Sequence, residues 1–193
     1  MSAPRMVVVL TGVPGVGKTT AAGMLAERLG GTHVDLSDLA EREGLITGWD
    51  EQRGTGVADL VGIRDRLAQI RGSSKEPLIV GGHFAADIVP PEKASFIFVL
   101  RRAPWRLKEE LEARGYGEGK VKENVEAELL DVCLVEALEA YGPERVCEID
   151  TTNRTPGEVV EEILSIISGE GTCRRGHIDW FGCAESEKLL EDL

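Results

Sequence analysis

Apolar positions along this chain follow two rhythms. Short runs of β-branched and aliphatic residues recur at 6–11 (MVVVLT), 32–36 (THVDL), 77–81 (PLIVG), 94–100 (ASFIFVL) and 146–149 (VCEI). Their length and largely continuous apolar character predict strands of a parallel sheet, buried on both faces. Between them, apolar residues fall at helical spacing over 19–29, 57–71, 103–114, 120–141 and 155–167. The segment 120–141 reads as one helix with core positions Val121, Val125, Leu129, Val132, Val135 and Leu138. Ser37 reads as the N-cap of a short helix over 38–43. Thr155 and Glu158 have capping-box spacing, with Pro156 at the first helical position. Segments 44–55 and 83–91 read as irregular.

This alternation predicts an α/β fold with a five-stranded parallel sheet and helices on both faces. In such sheets the ligand site lies beyond the carboxyl ends of the strands. Asp35, Ser37, Asp38, Gly81, His83, Arg101 and Arg102 are expected to gather there.

One stretch on that edge carries a specific chemistry. Gly12-Val13-Pro14-Gly15-Val16-Gly17-Lys18-Thr19 matches the phosphate-binding loop G-x-x-x-x-G-K-[ST], with a strand before it and a helix after it. Backbone N–H groups must wrap phosphate oxygens closely, so Gly15 and Gly17 are needed for room and for positive φ. The helix start adds its own N–H groups and dipole. Lys18 places a compact cation near the β and γ phosphates, Thr19 is the expected Mg²⁺ ligand, and Thr20 can add a phosphate hydrogen bond.

Composition narrows the rest. The chain has 193 residues, of which 42% are hydrophobic and 29% charged, enough for one full core. Its net charge is −12 (22 basic minus 34 acidic), so direct DNA binding and attraction to anionic lipid are not expected. The apolar run at the N-terminus is too short for a signal sequence, and no stretch is long enough to span a bilayer; the chain reads as cytoplasmic. Cys133, Cys147, Cys173 and Cys183 then read as free thiols. Cys173, His177 and Cys183 have a spacing that fits no standard zinc pattern.

The stretches GVPGVGKTT, VDLSDLAEREGLITGWDE, VGGHF, FIFVLRR and RGYGEGKVKENVEAELLDV occur in that order. On them the chain resembles the adenylate kinase isoenzyme 6-like family of nucleoside monophosphate kinases, most closely its archaeal branch, over residues 7–168. The R-G-Y followed by K-x-x-E-N is the more specific part. The resemblance implies phosphoryl transfer from ATP, with Mg²⁺, to a nucleoside monophosphate, AMP first. It implies a kinase domain over 1–168, a monophosphate-binding lobe over 35–58 and a short lid over 113–123. Arg114 would be the lid arginine that contacts ATP, and Lys18, Arg114 and His83 the catalytic set. Asp35, Asp38 and Arg101 would lie on the substrate side. The family is also linked to small ribosomal subunit maturation through a small-subunit ribosomal protein, which would make the chain an ATPase factor with a basic partner. A kinase of a small metabolite is a further reading of the same loop.

One departure stands out. The family usually has an acid two positions before the histidine of VGGHF, as its Walker B element, and this chain has Gly81. Either Mg²⁺ is held by Thr19, phosphates and water, with Asp35 or Asp38 as an outer acceptor, or turnover is weakened. His83 has two readings, a ring satisfied by backbone at a strand end or a group that positions water. Without the resemblance Arg114 reads as a solvated helix end; with it, as a phosphate contact. Trp49 can stack on a base or pack within its lobe. The tail 169–193 reads as an element docking on the core, or as an arm for a partner.

Overall fold

The central strand, β1 (Val7–Thr11), is buried at all five residues. The computed structural model describes residues 6–51, 55–183 and 189. β1 pairs in parallel with β5 (Leu78–Gly81) and with β6 (Phe96–Arg101). β2 (Thr32–Asp35) lies outside β5, with Asp35 in register with Gly81, and β7 (Val146–Asp150) lies outside β6. The parallel order β2-β5-β1-β6-β7 is the five-stranded sheet expected from the alternating pattern. Continuous apolar runs become strands here because both faces are covered. Helix α1 (Lys18–Leu29) packs on α8 (Pro156–Ser168) and over β2 and β5. Helices α4 (Ala85–Ile88) and α7 (Val132–Tyr141) pack together, against β1, β6 and β7. The core between them is built from residues such as Val9, Leu10, Leu25, Ile79, Phe98, Leu107 and Ile163. Among the described residues no helix is long and apolar enough to cross a membrane.

Four local expectations need correcting. The segment 44–55 is no simple loop: β3 (Ile46–Asp50) and β4 (Thr55–Ala58) form an antiparallel pair with a bulge between Ile46 and Gly48. Ile46, Thr47, Trp49, Thr55 and Val57 are strand formers that the interspersed glycines and charges concealed. Helix α3 accordingly begins at Leu60 and runs to Ser73, capped by Asp59. The short helix α2 (Leu36–Arg42) is capped by Asp35, which accepts from the backbone N–H groups of Ser37 and Asp38, so Ser37 lies inside the helix. Segment 83–91 contains the single-turn α4.

The segment 120–141 is two helices, α6 (Glu118–Leu129) and α7, with a break at Leu130–Asp131. Asp131 has φ 56°, a left-handed conformation uncommon outside glycine. The break turns α7 about its axis, so Cys133, Leu134, Ala137 and Tyr141 are buried while Val132 and Val135 are exposed.

Cys147 and Cys173 form a disulfide, not the free thiols expected; Cys133 and Cys183 are free. Their 26-residue separation gives no hint of proximity, but the chain after α8 returns beside β7, where the Glu148 N–H donates to the Arg174 carbonyl. Further along, Trp180 is buried and packs edge-on against Trp105 at 5.9 Å. The tail beyond Cys183 lies outside the described residues, Leu189 aside.

Candidate functional site

β1 ends at Thr11 and delivers the glycine loop to the carboxyl edge of the sheet. At Gly12 a Cβ would collide with the Leu100 carbonyl oxygen of β6, and at Gly15 (φ +94°) it would meet Leu107 at 2.7 Å. Any side chain at either position would push the loop away from the strands that shape it. Gly17, at φ 96°, is the N-cap of α1, and no side chain caps that helix. The first-turn N–H groups of Lys18, Thr19 and Thr20 therefore face the concavity of the loop, as anion sites at helix starts require.

Lys18 folds back across the loop and donates from Nζ to the Val13 carbonyl at 2.8 Å. Lost hydration lowers its pKa to about 8, with Asp35 opposing that fall and Arg114 adding to it. The Thr19 hydroxyl donates to Asp35 Oδ2 at 2.9 Å. Asp38 is exposed in the first turn of α2, and its backbone N–H is held by Asp35. A hard divalent cation needs oxygen donors with room for water. An exposed threonine hydroxyl backed by a carboxylate fits Mg²⁺, and the loop with Lys18 fits a polyphosphate.

His83 follows β5, and its backbone carbonyl accepts from the Thr11 hydroxyl at 3.3 Å. Desolvation of the ring, with the cations of Lys18 and Lys120 nearby, pulls its pKa well below the ordinary imidazole value. The ring is neutral at pH 7 and packs edge-on against Phe84 at 4.8 Å. Arg114 ends α5 (Pro104–Ala113) and is exposed, with Nε and Nη2 donating to Glu110 at 2.9 and 2.7 Å.

Arg101, expected on the substrate side, is closed off from solvent. It is 1% exposed, with Nε donating to Glu128 at 2.7 Å, Nη1 to Glu148 at 2.9 Å and Nη2 to Asp131 and the Glu128 carbonyl. Successive strand residues face opposite ways, and the inward turn went to Arg101. Its neighbour Arg102 turns to the loop, donating to the Gly15 carbonyl at 3.2 Å and the Thr151 hydroxyl at 3.3 Å.

Arg102, expected at this edge, thus reaches the loop itself, and Lys120 stands near enough to His83 to lower its pKa. The K-x-x-E-N stretch carries Lys120 and was the available signal. Beside Arg102 a depression of about 300 Å³ is lined by Arg106, Glu110, Ala113, Asn153 and Arg154. The turn after β7 that supplies Asn153 had given no sequence signal; Asn153 sits at φ 53°, which asparagine tolerates.

Residues 8–131 match the family described as AAA domain. Over 173 residues the chain is 44% identical to the "Putative adenylate kinase" of Methanothermobacter thermautotrophicus, covering 90% of this chain and 96% of that protein. A protein of the same name from Thermococcus onnurineus is 42% identical over 191 residues, with 97% of each covered. Among solved structures, a shikimate kinase from Acinetobacter baumannii in complex with shikimate is similar at TM-score 0.61 and 21% identity, over 86% of this chain and 94% of that one. Thymidylate kinase from Candida albicans is similar at TM-score 0.58 and 13% identity, over 88% and 93%. Those two share the fold, and the archaeal relatives share sequence over nine-tenths or more of this chain. This chain therefore belongs to the adenylate kinase-like family of P-loop kinases that its archaeal relatives represent.

Proposed function

We propose that this protein is a nucleoside monophosphate kinase that transfers the γ-phosphoryl group of ATP to AMP or another monophosphate. The observation that supports this reading is the glycine loop with Lys18 folded across it and Arg102 donating to its Gly15 carbonyl. A cationic cradle of this kind suits phosphoryl transfer, which needs alignment and charge neutralisation more than covalent chemistry. The archaeal relatives' name supports the same reading.

In the proposed reaction an oxygen of the acceptor monophosphate attacks the γ-phosphorus in line. A P–O bond forms there, the bond to the β–γ bridging oxygen breaks, and ADP and a nucleoside diphosphate leave. The loop N–H groups and Lys18 hold the β and γ phosphates. Mg²⁺, when bound at Thr19, supplies neutralisation of the phosphate charge. Segment 35–58, with α2 and the β3–β4 pair, is the proposed monophosphate lobe, and Asp38 lies on it. Segment 113–123, from the end of α5 into the first half of α6, is the proposed lid. Its closure brings Arg114 from Glu110 to the transferring group and excludes water. Neutral His83 can accept or donate one hydrogen bond to a water at the strand end. The depression at Arg106, Asn153 and Arg154 is the proposed seat of the donor base.

A coupled assay with ATP, Mg²⁺ and each monophosphate tests this. Diphosphate formation is expected with at least one acceptor, and its absence from folded protein with all of them rejects the reading. The alternative of an ATP-hydrolysing factor that meets a small-subunit ribosomal protein is favoured by the net charge of −12. The same assay separates it, because that factor releases phosphate without an acceptor.

A further inference from the structure

In P-loop enzymes Mg²⁺ is held by the loop's Ser or Thr and by a carboxylate at the end of a neighbouring strand. The strand beside β1 on this side is β5, and it ends in Gly81, which has no side chain to offer. The space next to Gly81 is occupied. His33 of β2 places Nε2 there, buried and without a hydrogen-bond partner, 3.3 Å from where a Cβ on Gly81 would sit.

One strand further out, Asp35 lies in register with Gly81. Its two oxygens divide their work. Oδ1 accepts from the backbone N–H of Ser37 at 3.0 Å and of Asp38 at 3.3 Å, which fixes the carboxylate. Oδ2 accepts the Thr19 hydroxyl proton at 2.9 Å. A hydroxyl has one proton and two lone pairs. With the proton committed to Asp35, the lone pairs of Thr19 are turned away from it and free for a cation.

Resting on the nucleotide-binding reading above, we infer that Asp35 is the positioning residue for Mg²⁺ in this chain. The metal-directing carboxylate stands on β2, and His33 fills the volume left at Gly81. Asp35 then acts through the Thr19 hydroxyl, and its anion offsets the cation at the phosphates.

The test reads metal dependence of binding, not turnover. ADP affinity is measured by calorimetry with and without Mg²⁺, and Mn²⁺ binding to the ADP complex by electron paramagnetic resonance. Asp35→Asn keeps an oxygen for the two backbone N–H groups, so α2 stays capped. The Mg²⁺-dependent gain in ADP affinity is expected to fall roughly 10- to 100-fold, the range for outer-shell metal partners, with Mg²⁺-free affinity no weaker. Thr19→Val is expected to lose the same gain, and the double variant no more than either alone. Returning a carboxylate to β5, as Gly81→Asp with His33→Ala in the Asp35→Asn background, is expected to restore it.

Retention of the full Mg²⁺ gain by Asp35→Asn overturns the inference, as does additive loss in the double variant with Thr19→Val. Should Asp35→Asn not fold, a Thr19→Val protein that keeps the whole gain overturns it equally. ADP binding by the unmodified protein without any Mg²⁺ gain removes this inference and leaves the nucleotide site standing. No ADP binding at all removes both.

Discussion

The indole N–H of Trp180 donates to Glu128 Oε1 at 3.0 Å, joining positions 52 residues apart. The same oxygen accepts from Arg101 Nε and from the backbone N–H of Arg102, whose guanidinium rests on the Gly15 carbonyl. The segment after α8 is thus wired, through one buried carboxylate, to the residue that touches the phosphate loop. The Cys147–Cys173 bond ties that segment to β7. Replacing both cysteines by serine is expected to lower stability by about 3 kcal/mol, from the closed loop of 26 residues. Urea unfolding with and without a dithiol measures it, and loosening of Trp180 from Trp105 red-shifts tryptophan emission.

Arg101 holds Glu128 and Glu148 in a site almost closed to water, with side-chain exposures of 2% and 0% for the two acids. Arg101→Met leaves those acids buried without their cation. A loss of about 3–5 kcal/mol is expected. A denaturant midpoint unchanged by this substitution would contradict the account. Arg102→Ala is expected to do the reverse, weakening ATP binding with little change in that midpoint.

With the pKa of Lys18 lowered to about 8, the proposed nucleotide binding is expected to depend on pH. Bound phosphates favour the charged ammonium and raise the pKa, so between pH 8 and 9 the complex holds more protons than the free protein. Proton uptake on binding is therefore expected in that window, with affinity falling as pH rises through it. Calorimetry in buffers of different ionisation enthalpy reads the uptake directly. Lys18→Ala abolishes both the uptake and most of the affinity.

Arg114 is paired with Glu110 on the open surface, an i,i+4 contact worth a few tenths of a kcal/mol. Arg114→Ala is expected to leave the melting temperature unchanged and to lower kcat by about 10³-fold, the lower range for a transition-state arginine. Steady-state kinetics with the best acceptor checks it; a change confined to KM would assign Arg114 to ground-state binding.

The features written locally were legible in the sequence. The loop, its strand and its helix needed only the glycine positions and the flanking patterns, and the capping box at Thr155 is present in full. Features set by distant partners were not. Nothing local distinguishes Arg101 from Arg102, because their directions depend on where Glu128 and Glu148 come to lie. The break at Asp131 interrupts a good helical pattern at a point where that carboxylate pairs with the distant Arg101. Sequence left Asp35 between the substrate side and an outer acceptor for Mg²⁺, because it cannot show that one oxygen caps α2 while the other faces Thr19. The disulfide follows from the return of the chain past β7, which no spacing encodes.

That return has a consequence for the molecule's behaviour in a crowded solution. β7 is the last strand of the sheet, and its outer backbone groups are the kind that recruit a strand from another chain. The Glu148 N–H is already taken by Arg174, and Glu148 itself receives the Gly176 N–H. A chain ending at Ser168 would leave this margin bare, and self-association growing with concentration is what light scattering would then register.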